Sequence, residues 1–224
     1  MARPRSFSTQ DAVAAATGVF WSKGYQDTAI SDLEQATGLN RSSLYAAFGT
    51  KQAIFELALE SYLRGFIEPR LAPVERAEAD AGDIERFFTG LAGFFRTGSQ
   101  ARQGCLMINS IAEHAGRGTR LGSRAQAFRD RLSAAFANAM AGRHEPGLAG
   151  ERAQLLTATT LGIWLTARID PAGAAQACDA AVACIRTWQQ APAGHGGGDL
   201  GRLLARPSPS LVQSRGGAGR RIWV

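Results

Sequence analysis

Apolar residues recur at spacings of three and four from Ser8 to Gln190, and nowhere on that stretch do they alternate with polar ones over a strand's length. This is the period of an α-helix with one buried face, so the chain reads as all-α. Val13, Ala16 and Phe20 form the first stripe, with Ser8 or Thr9 as cap and Gly24 as stop. Thr28 stands where it would cap a short helix over 29–37, which Gly38 breaks. Asn40 stands where it would cap a third helix over 41–48, and Gly49-Thr50 is the next break. A long helix starts at Lys51, with Ile54, Phe55, Ala58, Leu59, Tyr62 and Leu63 on one side, and Pro69 and Pro73 mark where it ends or bends. Further helices are expected from Asp83 (carrying Phe87, Phe88, Leu91, Phe94 and Phe95) and over 105–115, 121–141, 151–168 and 171–190. Loops fall at 98–104 and, around Pro146, at 142–150. The count is about nine helices.

From Ala191 onward Gly, Pro, Ser and Arg dominate and the period is lost, so 191–224 reads as a disordered tail. That tail changes how the charge is read. It carries five arginines against Asp199, which accounts for +4 of the formal +6 and leaves +2 for everything else. Overall basicity is therefore no argument for a nucleic-acid partner, and the tail is either an electrostatic arm or a solvated extension. Three cysteines without tight spacing make no disulfide framework, and Cys178 and Cys184, six apart, lie on different faces of one helix. A reducing cytoplasm is the simplest location. The basic start, Met1 to Phe7, leads into no apolar segment, and no run approaches the roughly 18 apolar residues of a membrane helix. There is no phosphate loop or metal-ligand spacing, and His114, His144 and His195 have no carboxylate or thiol at a telling distance. Neither an enzyme nor a cofactor is expected.

The informative stretch runs from Ile30 to Tyr45, two short helices around Gly38. Ile30, Leu33, Leu39 and Leu44 can share a small core, and glycine lets the chain turn without a Cβ clash. The second helix then offers Arg41, Ser42, Ser43 and Tyr45, short donors and one aromatic ring near a helix N-terminus, which suit major-groove edges and phosphates. Many purely structural helix pairs share this pattern, so the spacing by itself leaves both readings open.

The residues do more than fit a pattern. From Phe7 to about Tyr62, a quarter of the chain, the sequence resembles the N-terminal domain of the TetR/AcrR family. The matching positions are Gly24-Tyr25, Thr28, Ile30, Asp32-Leu33, Ala36 to Leu39, Arg41 to Tyr45, Phe48, and Lys51 with Phe55 behind it. The resemblance implies a three-helix helix-turn-helix domain over 1–50 and a helical effector-binding and dimerisation domain over 51–190. It implies Arg41, Ser42 and Ser43 in the major groove of palindromic double-stranded operator DNA, and Tyr45 against the DNA backbone or a base. Thr28 and Lys51 would meet phosphates, Lys51 helped by the dipole of its helix. Two departures stand out: Ala46 and Ala47 replace the aromatic or histidine side chains common after the tyrosine, and Glu34 occupies a helix crossing where alanine is common.

Gly104 to Glu113 resembles a recurrent element in one group of these regulators, the helix that touches the DNA-binding domain. The resemblance also implies an effector pocket, lined here by Phe66, Phe87, Phe88, Met107 and Asn109, that admits a small, largely apolar molecule; the same residues read equally as core. The last two helices would pair with their mates in a homodimer, with Leu161 and Trp164 at the contact. Cys105 sits at a helix start, where the dipole lowers a thiol pKa, so it is either a redox or electrophile sensor or a small buried residue. The expected role is a repressor that its effector releases from DNA; the alternative signal is chemistry at Cys105.

Overall fold

The computed structural model describes residues 8–114, 120–142 and 146–190, and among them all regular structure is helical. The order is α1 (Thr9–Lys23), α2 (Ile30–Thr37), α3 (Arg41–Phe48) and α4 (Lys51–Tyr62), which passes through a π turn (Leu63–Ile67) into α5 (Glu68–Glu75). Then come α6 (Ala81–Thr97), a 3-10 turn (Ala101–Gln103), α7 (Leu106–His114), α8 (Arg120–Ala141), α9 (Pro146–Ile169) and α10 (Pro171–Gln190). The tail expected to be disordered, 191–224, lies outside the described residues.

The short helices are set by their caps. Ser8 accepts from the Asp11 N–H at 3.3 Å, the Asn40 carboxamide oxygen from Ser43 at 2.9 Å, and the Thr50 hydroxyl from Ala53 at 3.1 Å. Gly38 ends α2 in the left-handed conformation, at φ 71°, where an L side chain would be strained.

Three expectations need correction. Thr28 caps nothing: α2 begins at Ile30, and the Asp32 carboxylate takes the Ala29 N–H at 2.9 Å instead. Helix α6 begins ahead of Asp83, because Asp80 is its cap and Asp83 is the reciprocal partner that takes the Asp80 N–H at 3.1 Å. Pro146 stands at the first position of α9, where a missing N–H costs nothing, so the loop before that helix is shorter than Gly147 and Gly150 led one to expect. Pro69 and Pro73, expected to mark an end or a bend, lie inside α5, which stops at Glu75. The chain widens into a π turn just before Pro69, and the Glu68 N–H reaches back to Leu63. A π turn is one way to absorb a proline whose ring crowds the preceding turn.

Two packed regions follow. Helix α1 lies on α4 and α2, and their core holds Phe20, Leu33, Leu44, Phe48, Ile54 and Phe55. The Phe20 and Phe55 rings meet edge to face at 5.0 Å. Truncating a fully buried ring such as Phe20 to alanine costs about 3–5 kcal/mol, enough to dismantle a headpiece this small. In the second region α6 packs along α10 and α8 along α9, with Phe88, Leu91, Phe136 and Trp164 inside.

Candidate nucleic-acid interface

Helix α3 is anchored from behind and open in front. Leu44 and Phe48 are buried, whereas Arg41, Ser42, Ala46 and Ala47 are exposed and Ser43 and Tyr45 half-buried. Its N-terminus is fixed twice: Asn40 holds the Ser43 N–H and accepts from the Ser42 hydroxyl at 2.7 Å, and the Glu34 carboxylate accepts from the Arg41 N–H at 2.7 Å. The Arg41 guanidinium lies 5.7 Å from the centre of the Tyr45 ring, one turn along. Lys51 stands at the first position of α4, with its ammonium 4.6 Å from the centre of the Tyr25 ring. The structure thus brings Arg41, Ser42, Ser43 and Tyr45 onto one short helix and sets Lys51 at the start of the next.

Thr28 does not join them. It is buried, and its hydroxyl donates to the Gly24 carbonyl at 2.6 Å, so the side chain expected on a phosphate is committed inside the headpiece. A helix stop leaves carbonyls unpaired, and Thr28 satisfies one of them. Tyr25 and Glu34 are the contributors that spacing alone did not single out as site residues. Tyr25 had a usable signal, an aromatic directly after the helix-stopping Gly24.

Charge is scarce on this unit. From Ser8 to Tyr62 there are three basic residues, Lys23, Arg41 and Lys51, against six acidic ones, a net of −3. Lys23 is already paired with Asp32 at 2.7 Å.

Residues 12–58 match the sequence model of the bacterial regulatory proteins of the tetR family. That segment is a TetR-family N-terminal domain. Among curated relatives it is 33% identical over 111 residues to the HTH-type transcriptional repressor ComR of Escherichia coli, covering 48% of this chain and 51% of that protein. It is 31% identical over 114 residues to the HTH-type transcriptional repressor BdcR of the same organism, covering 50% and 56%. The chain therefore spans about half the length of the curated relatives it matches. The fold extends further. A TetR family regulator, CifR, solved as a cysteine mutant complexed with 26bp double-strand operator DNA, superposes with a TM-score of 0.66 at 23% identity, covering 81% of this chain and 98% of that one. A TetR-family transcriptional regulator from Streptomyces coelicolor gives 0.69 at 17% identity, covering 79% and 92%.

The five residues expected to line an effector pocket fall into different places. Phe87 and Phe88 pack with Phe136, at centroid distances of 5.6 and 6.0 Å. Phe66, in the π turn, belongs to another ring cluster with Trp21 (5.0 Å), Phe94 (5.1 Å) and Trp164 (6.0 Å). Met107 and Asn109 are buried on α7, where the Asn109 amide donates to the Gln103 carbonyl at 2.8 Å and its own oxygen has no partner. A cavity of about 310 Å³ between Asp80, Met140 and Gln189 includes none of the five.

Cys105 is fully buried, and loss of solvent pushes its thiol pKa up, against the lowering expected of a helix start. The neighbouring Tyr62 hydroxyl is likewise buried without a hydrogen-bond partner, and burial drives its pKa well up. Trp164 also needs correction: at 2% exposure it packs edge to face on Phe95 at 4.9 Å and has no surface to give a second chain. Leu161 is half-buried against the core. Among the described residues, no group of three or more His, Cys, Asp or Glu is placed to hold a metal, and no helix is long and apolar enough to cross a membrane.

Proposed function

We propose that this chain is a DNA-binding transcriptional repressor that works as a homodimer on a palindromic operator and is released by a small, largely apolar effector. The observation that carries the reading is α3 itself: a helix clamped at its N-terminus by Asn40 and Glu34, with Arg41, Ser42, Ser43 and Tyr45 on its open side, inside a segment that matches the TetR-family domain. Helix N-terminal residues of that type read base edges and phosphates in the major groove. The printed names of ComR and BdcR, both repressors, support the direction of regulation. The division of labour follows the sequence, with 1–50 on DNA and 51–190 for signal and pairing.

Pairing is supported by α9. Leu155, Leu165 and Ile169 are exposed to 53%, 46% and 82%, and with Ala158 and Gly162 they form a stripe at alternating spacings of three and four. This is the seam of two helices that cross at a shallow angle, with small residues where the backbones approach most closely. A second copy covers it, which sets two recognition helices about one DNA turn, ~34 Å, apart. An effector that prefers another spacing lowers DNA affinity by its differential binding energy. The deep burial of Cys105 favours this ligand-gated reading over thiol chemistry.

Fluorescence anisotropy with the full chain and a labelled duplex tests the reading. Binding is expected to weaken with salt and to fall at least 10-fold in both Arg41→Ala and Lys51→Ala. Salt-independent binding, or binding indifferent to both substitutions, contradicts it.

A further inference from the structure

Glu34 is half-buried, and its carboxylate makes one hydrogen bond, to the Arg41 N–H at 2.7 Å. Among the described residues no cation pairs with it; Lys23, the one basic residue of α1 and α2, is held by Asp32. Glu34 belongs to α2, whereas Arg41 is the first residue of α3, so this contact adds to the buried Leu33 and Leu44 in tying the two helices across the Gly38 turn. It also puts an acidic side chain at the end of α3 that carries Arg41 and Ser42, on a headpiece whose net charge, Glu34 included, is −3. The positive end of a helix ordinarily favours an approaching phosphate; a carboxylate bonded to that end fills the place and repels the phosphate.

We propose that Glu34 is a positioning residue that fixes the angle of the recognition helix and, by its charge, holds DNA affinity down. The inference rests on the DNA-binding reading and deepens it. The two effects separate chemically. Glutamine keeps an acceptor for the Arg41 N–H and removes the charge. Alanine removes both. A net-acidic headpiece with few phosphate contacts gives up non-specific affinity, and a rigid recognition helix keeps the discrimination that remains.

The test measures full-chain affinity by anisotropy for two duplexes: one recovered by selection from genomic fragments, and one of random sequence and the same length. Glu34→Gln is expected to tighten binding to both by about 3- to 10-fold at low salt, with the gain shrinking as salt rises. The ratio between the two duplexes should stay near that of the unsubstituted chain. Glu34→Ala is expected to lower that ratio at least 3-fold, because α3 is no longer held in register, with the midpoint of thermal unfolding little changed. Unchanged or weaker binding by Glu34→Gln overturns the charge effect, and an unaltered ratio in a folded Glu34→Ala overturns the positioning role. If the unsubstituted chain binds neither duplex, the DNA-binding reading fails and takes this inference with it. If it binds and the variants behave like it, the inference alone is wrong.

Discussion

The indole N–H of Trp21 on α1 donates to the backbone carbonyl of Gly104 at 2.9 Å, a buried hydrogen bond between residues 83 apart in the chain. It joins the headpiece to the turn that launches α7. Around it the Trp21 ring meets Tyr62 at 4.9 Å and Phe66 at 5.0 Å, and Phe66 continues to Phe94 and Trp164. A contiguous set of rings therefore runs from α1 through the π turn to α9. Trp21→Phe keeps an aromatic ring, though a smaller one, and removes the donor to the Gly104 carbonyl. The expected loss is about 1–3 kcal/mol in denaturant unfolding, with the headpiece still folded by circular dichroism. A variant as stable as the parent contradicts the importance of this bond.

Gly104 is the other half of that joint. Its φ is +67°, and a Cβ there would stand 2.9 Å from Arg168 Cγ, 3.1 Å from the Trp164 carbonyl oxygen and 3.2 Å from the Asn109 side-chain oxygen. Gly104→Ala combines backbone strain with a clash against the Arg168 side chain and a tight approach to the Trp164 carbonyl, so a cost of order 1–3 kcal/mol or more is expected in the same unfolding assay. Gly38→Ala is the control. It is strained at φ +71° but has open space around its Cβ, so it should lose less. Equal losses at both positions would show that crowding at Gly104 contributes nothing.

The stripe on α9 gives a third expectation. Leu165→Asp places an unpaired carboxylate in the middle of an apolar seam and should convert a dimer to a monomer by light scattering, leaving the helical signal intact. The position is exposed in the single chain, so folding is spared. A dimer that survives both Leu165→Asp and Ile169→Asp would place the contact elsewhere.

Alkaline titration addresses the buried thiols. Loss of solvent, reinforced by Asp179, pushes the Cys178 thiol up from 9.0 to about 12, and burial raises Cys105 in the same direction. A folded pKa above the unfolded one means that stability is intact below pH 9 and declines as pH rises toward 12, because only the unfolded chain ionises its thiol in that window. Cys178→Ala should flatten the decline, and a disulfide reagent should label native Cys105 far more slowly than the half-buried Cys184. Rapid labelling of Cys105 in the folded protein would reopen the redox reading.

What could be read from the chain beforehand follows from where side chains punctuate it. Asn40 and Gly49 bracket α3, and both of its ends fall where the residues put them. Thr28 misled because a threonine before a helix looks like a cap whichever backbone group it serves, and here the free carbonyl of Gly24 won. Helix α9 misled more deeply. Leu155, Leu156, Leu161, Ile163, Trp164 and Leu165 surround it on nearly every side, so no period distinguishes the face that packs inward from the face left open. Trp164 went to the core and Leu165 to the surface. The contacts of Glu34 and Trp21 were illegible for a plainer reason: both cross between separate elements, and only tertiary structure brings their partners near.

The most direct test of the central claim is selection of genomic DNA fragments by the purified full chain at physiological salt, followed by the stoichiometry of the complex. The account expects a short inverted repeat bound by two chains, with Arg41→Ala failing to enrich it. Recovery of no sequence above background, or enrichment of the same repeat by Arg41→Ala, would contradict the assignment of α3 as the recognition helix.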